Sequence, residues 1–185
     1  MKGKSHRLLA DYLSREYLSD APKRCARAFR LGCIQPDRNP TTYLKGSLRA
    51  QWLRGHNWGN TQRYMQRLCR RLERKRKLGI FSAYSLGKLM HYTADAFTYA
   101  HNPEFPEDLG RHNAYEQTLQ HYFLRHFQEL TDYVVSPAGS AMETIRIWHR
   151  RYADRDMHDI FSDASYTVAV SRSVLSQLLP TPQAT

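Results

Sequence analysis

A histidine is followed four residues later by a carboxylate twice in this chain, at His91 and Asp95 and again at His112 and Glu116. On a helix that spacing makes the two side chains neighbours on one face. Imidazole nitrogen with carboxylate oxygen is a typical zinc-binding set, and one without sulfur leaves room for a water on the metal. His101 follows Asp95 by six residues, about 80° round an ideal helix from His91. One metal cannot comfortably use all three, but an Asp95 that bridges two metals can, sharing one with His91 and the other with His101. Taken alone, either pair also reads as an ordinary helix contact.

The argument for chemistry grows when the helices are drawn in. Tyr84, Lys88, His91, Asp95 and Thr98 form one stripe of a helix spanning about Phe81 to Ala100. His112 and Glu116 precede Leu119, Phe123, Phe127 and Leu130 on the inward stripe of a helix from about Arg111 to Thr131. Ionisable groups on an inward face are costly unless paired or metal-bound. Elsewhere, Ser5 is expected to cap a first helix carrying His6, Leu9, Leu13 and Tyr17 on one stripe. Pro22 opens a second helix to about Leu31, and Gly32 to Pro40 reads as a loop because two prolines interrupt it. A short helix over Tyr43–Leu53, a turn over 55–60, a basic helix from Thr61 to about Lys77, and helices over Ala141–Tyr152 and Arg155–Leu179 complete the expectation. The fold class is therefore all-α, a compact single-domain helical bundle with the metal site among core-facing helices, spanning residues 1–180, with a frayed tail at 181–185.

Composition sets the bounds. The chain has 185 residues, 41% hydrophobic and 24% charged, which suits one globular domain. No stretch approaches the roughly 20 apolar residues of a membrane-spanning helix. The basic start, Met1 to His6, leads into no apolar leader, so cytoplasmic residence is the expectation. Cys25, Cys33 and Cys69 are odd in number and widely spaced, giving neither a disulfide framework nor a thiolate zinc site. The net charge of +11 favours anionic partners, and much of the excess lies between Arg70 and Lys77. The same run also suits a helix C-terminus, with Gly79 as its stop.

The run Ser85-Leu86-Gly87-Lys88-Leu89-Met90-His91-Tyr92-Thr93-Ala94-Asp95-Ala96-Phe97-Thr98-Tyr99-Ala100-His101-Asn102 resembles the signature helix of zinc-dependent phospholipases C. Its pattern, H-Y-x-x-D followed by x5-H-N, is matched without a gap, and the downstream H-x-x-x-E is His112 to Glu116. The N-terminal half is similar as well: His6 in the opening helix, Gly32-Cys33-Ile34-Gln35-Pro36-Asp37 for a G-x-I-x-P-D loop, and His56 in the segment after it. The resemblance implies that His56, His91 and Asp95 hold one zinc with Asp37 on or beside it, and that His101, His112 and Glu116 hold a second. It further implies a third zinc on His6 and the bridging Asp95, completed by the terminal amine and carbonyl, here those of Met1. Asp37 is the implied general base or water-orienting group. His121, His126, His149 and His158 match nothing in the family and read as surface or ordinary helix histidines.

Two zinc ions about 3.5–4 Å apart can bind a phosphodiester's oxygens and acidify a water for in-line attack on phosphorus. The implied activity is a phospholipase C-type cleavage of a phospholipid headgroup, with an anionic membrane surface as a further partner. Related zinc-dependent single-strand nucleases and 3′-nucleotidases share the metal arrangement, so nucleic acid is the substrate under that alternative. A non-enzymatic, basic nucleic-acid-binding bundle is the third reading, and it leaves the inward ionisable stripes unexplained. No Gly-x-Ser-x-Gly elbow, Cys–His pair or phosphate-cradling glycine loop offers a nucleophilic route.

Overall fold

A computed structural model describes residues 1–38, 57–105, 109–155 and 159–179. Among these the regular structure is helical: α1 (Gly3–Tyr17), α2 (Lys23–Arg38), α3 (Trp58–Glu73), α4 (Ile80–Ala96), α5 (Leu109–Leu130), α6 (Ala141–Ala153) and α7 (Ile160–Leu178), with one 3-10 turn at Tyr99–His101. The expected all-α bundle is present. The Tyr43–Leu53 helix, His56, His158 and the tail lie outside the described residues.

A single hydrophobic core runs through the bundle, with Leu13, Phe29, Met65, Leu86, Leu119, Phe123, Ile145, Tyr152 and Val168 all fully buried. The most extensive contact joins α2 and α4, which run in the same direction: Cys25 lies against Leu78 at one end, and Asp37 meets His91 at the other. Their axes come close at Gly32 and Gly87. A Cβ on Gly32 would overlap the Tyr84 carbonyl oxygen, and one on Gly87 would overlap that of Phe29.

Gly32 to Arg38 is therefore helix rather than loop, and Gly32 serves helix contact rather than a turn. Pro36 stands two residues from the end of α2, so its missing N–H forfeits one helical bond, to the Gly32 carbonyl, and the helix stops soon after. Ser5 is not the first cap: α1 begins at Gly3 after Lys2, and Ser5 is buried within it. Residues 58–60 are helical rather than turn, because the Asn57 side chain accepts the Asn60 N–H and starts α3 there. The α3 helix also stops at Glu73, so Arg74 to Lys77 lie beyond it. Helix α6 starts at a Ser140–Glu143 capping box, and α7 starts at an Asp159 cap, five residues later than the spacing predicts.

The break after α4 matters most. The helix ends at Ala96 rather than Ala100, and a 3-10 turn carries His101. Asn102 explains the change: its amide donates to the carbonyls of Ala96 and Thr98, at 3.1 and 2.9 Å. Thr98 Oγ1 donates to the Asp95 carbonyl at 2.9 Å. Side chains thus take up the carbonyls that a continuing helix would have used.

Candidate metal centre

Three elements end at one place: α2 with Asp37, α4 with His91 and Asp95, and the 3-10 turn with His101. The start of α1 brings Met1 and His6, and the start of α5 brings His112 and Glu116. Asp95 is fully buried at the centre. Its Oδ1 lies 3.1 Å from His6 Nε2, 3.8 Å from His101 Nε2 and 2.9 Å from the Met1 nitrogen, and its Oδ2 lies 3.1 Å from His91 Nε2. Asp37 adds a second carboxylate, 3.4 Å from His91 Nε2 and 3.9 Å from His6 Nε2. Glu116 Oε1 lies 3.3 Å from His101 Nε2, 3.6 Å from His112 Nε2 and 2.8 Å from the Met1 nitrogen.

Two groups of potential ligands result, His6 with Asp37, His91 and Asp95, and His101 with His112 and Glu116; within each, all ligand atoms lie within 4.8 Å of one another. A tetrahedral zinc with bonds of about 2.0–2.1 Å spaces its ligand atoms roughly 3.4 Å apart. The nitrogen-to-oxygen distances of 3.1 to 3.9 Å in the first group and 3.3 to 3.6 Å in the second bracket that spacing. The donor set also fits by chemistry. His91 Nδ1 is committed as donor to the Cys33 carbonyl at 2.9 Å, which turns its Nε2 toward the carboxylates as a lone pair when the ring is neutral.

Electrostatics point the same way. The rings of His6 and His91 stack at 4.0 Å, so both cannot comfortably carry charge. Burial, with His91 beside it, pushes His6 down to about 4, leaving it neutral at physiological pH. Burial alone would raise Asp95, but the Met1 amine, His101, His91 and His6 hold it well below the usual carboxylate range. Glu116 is likewise held down against burial by the Met1 amine and by its bonds to His101 and His112. Burial opposes charge on the Met1 amine, yet Asp95, Glu116 and Asp37 raise it to about 11. Burial and the Met1 amine push His101 down as well, whereas His91 is raised against its burial by Asp95 and Asp37. In all, three carboxylates face inward among four imidazoles, an arrangement suited to a cation.

The model of the family described as zinc dependent phospholipase C matches residues 6–169. The chain belongs to that family. Comparison with curated proteins and with solved structures gave no match. Family membership together with the two ligand groups makes this phospholipase C-family chain a zinc-dependent phosphodiester hydrolase.

Of the residues singled out by sequence, His6, Asp37, His91, Asp95, His101, His112 and Glu116 come together, and His56 lies outside the described residues. His101 reaches the centre only because α4 breaks, so the 80° offset on an unbroken helix does not apply. His149 differs from its expected role. It is buried, stacks on Trp58 at 3.8 Å, and donates to Asn102 Oδ1 at 2.8 Å, so it holds the residue that shapes the turn. Asp163 of α7, not singled out by spacing, is fully buried and accepts the Tyr99 N–H at 2.9 Å and the Tyr152 hydroxyl at 2.8 Å. It therefore clamps the backbone two residues before His101. Its signal was present in the sequence: an acid on the helix stripe that also carries Val170 and Val174.

Proposed function

We propose that this enzyme cleaves the headgroup ester of a phospholipid, releasing diacylglycerol and the phosphorylated headgroup. Support comes above all from Asp95, whose Oδ2 faces His91 while its Oδ1 faces His6 and His101, so that one carboxylate reaches both groups of ligands as a bridge would. His91, Asp95 and Asp37, with His56, would hold one zinc, and His101, His112 and Glu116 a second. A third would take His6, Asp95 and the Met1 nitrogen, which lies 2.9 Å from Asp95.

Zinc, when bound, polarises phosphodiester oxygens and makes water acidic near neutral pH. The chain's own residues do the rest. Asp37, 27% exposed where Asp95 is fully enclosed, faces the open side of the site and takes a proton from the attacking water. As the new oxygen–phosphorus bond forms, the bond to the glycerol oxygen breaks, and the proton held by Asp37 passes to that leaving oxygen. The Cys33 carbonyl fixes the His91 ring, and Asn102 and Asp163 fix the turn of His101, so the ligands are held before substrate arrives.

Elemental analysis of the purified protein, with turnover of phosphatidylcholine and single-stranded DNA measured side by side, tests the reading. Two to three zinc per chain with release of phosphorylated choline supports it. Turnover of DNA alone would move the substrate to nucleic acid, and protein that takes up no added zinc would sink the metal chemistry.

A further inference from the structure

The pole of the bundle opposite the metal centre carries a second feature that the hydrolytic reading leaves unused. There α3 ends and α4 begins, and the corner between them bears six cations between Arg70 and Lys77, all exposed. Capping accounts only for Arg70 and Arg71 in the last turn of α3, since the helix dipole fades within one turn and Arg74 to Lys77 lie past the end. Glu73, the lone acid in this run, points its carboxylate to the Ala141 N–H at the start of α6, 3.2 Å away. Lys23 and Arg24 are exposed at the start of α2, which meets this corner where Cys25 Sγ donates to the Leu78 carbonyl.

At the start of α4, three and four residues after Lys77, stand two exposed apolar side chains, Ile80 at 46% and Phe81 at 82% exposure. A lone exposed apolar residue needs no account, but an adjacent aliphatic and aromatic pair at the corner that also bears these exposed Lys and Arg side chains has the composition of an interfacial anchor. Cations draw in acidic headgroups, and the apolar pair gains by leaving water for the acyl boundary. A nucleic-acid strand would satisfy the cations and could stack on Phe81, yet it offers Ile80 nothing.

We propose that the Arg70–Phe81 corner docks on an anionic lipid bilayer. Phe81 and Asp95 are fourteen residues apart on α4, about 21 Å along the axis, so this contact tethers the enzyme without covering its metal centre. Tethering is thus separable from hydrolysis, and the proposal does not depend on the substrate proposed above.

The test is cosedimentation of the zinc-loaded full chain with vesicles of phosphatidylcholine, with and without phosphatidylserine. Binding should strengthen at least tenfold with phosphatidylserine and weaken with salt. Each of Arg74→Glu and Arg76→Glu should cost about fivefold or more, the partition equivalent of one cation near the surface. Phe81→Ser should weaken binding by a similar factor, while thermal stability and hydrolysis of a soluble phosphodiester stay at the parent level in all three variants. Equal binding to neutral vesicles, no binding to either, or an unaffected Phe81→Ser variant combined with displacement by single-stranded DNA would each overturn the proposal.

Discussion

The Nδ1–H of His91 donates to the carbonyl oxygen of Cys33 at 2.9 Å, one residue from where Gly32 of α2 meets Gly87 of α4. The backbone of one helix thus aims a ligand borne by the other, and the aim depends on how closely the two axes approach. A Cβ on Gly87 would overlap the Phe29 carbonyl oxygen and come within 2.9 Å of the Cys33 nitrogen, both backbone atoms that cannot swing aside.

Gly87→Ala should therefore push α2 from α4. Overpacking of this kind costs about 1–3 kcal/mol, and contact with backbone places this case at the upper end. Unfolding by denaturant should show a lower midpoint. Zinc affinity should fall along with it, because Asp37 and the Cys33 carbonyl both travel with α2. A variant of unchanged stability and zinc affinity would mean the glycine contact does not set the site.

Asp95→Asn removes the charge that faces both ligand groups while keeping the shape of the side chain. Zinc content and hydrolysis should be lost together, with activity down on the order of a hundredfold or more. Elemental analysis beside a rate measurement checks the pairing. A fully metallated, active Asp95→Asn protein would refute the bridging role.

Much of this site could be read before the fold. The four-residue spacings of His91 with Asp95 and of His112 with Glu116 survive because both pairs lie inside unbroken helix, where periodicity translates directly into a shared face. His101 did not follow that arithmetic. Periodicity assumes an unbroken ladder, and Asn102 breaks it by taking the carbonyls of Ala96 and Thr98. Two prolines argue for a loop around Asp37, yet Pro36 stands two residues from the end of α2, where the helix forfeits one bond and then stops, so Asp37 lies in helix. His149 and Asp163 escaped for a different reason: their partners lie 47 and 64 residues away, and no local pattern encodes those pairings.

Stability should follow zinc. Three inward carboxylates around one buried amine and four imidazoles are best satisfied with metal present, and a ligand at 100 times its dissociation constant adds about 2.7 kcal/mol to the folded state. Chelation should lower the melting temperature, and zinc should restore it in a concentration-dependent manner. Calcium, which prefers six to eight oxygen ligands, should not substitute. Identical melting curves with and without chelator in protein shown to bind zinc would contradict the linkage.

Asp163 gives the last prediction a sign. Burial raises this carboxyl to about 7 in the folded chain, partly offset by the Tyr99 N–H, against an ordinary value of 3.8. Below pH 4 the group is protonated in both states and contributes no slope. Between about pH 4 and pH 7 the unfolded chain releases the proton and the folded chain keeps it, so this residue makes stability fall as pH rises through that window. Asp163→Asn cannot titrate, and the difference in stability between parent and variant should therefore vary across pH 4 to 7 and level off above it. The variant also loses one acceptor for either the Tyr99 N–H or the Tyr152 hydroxyl, which loosens the turn of His101 and should lower zinc affinity about 10–100-fold. Denaturant unfolding of the chelated proteins across pH, with zinc titration at neutral pH, measures both effects. A stability difference that does not change with pH would show that Asp163 is ionised in the fold throughout, and an unchanged zinc affinity would show that the turn holds without it.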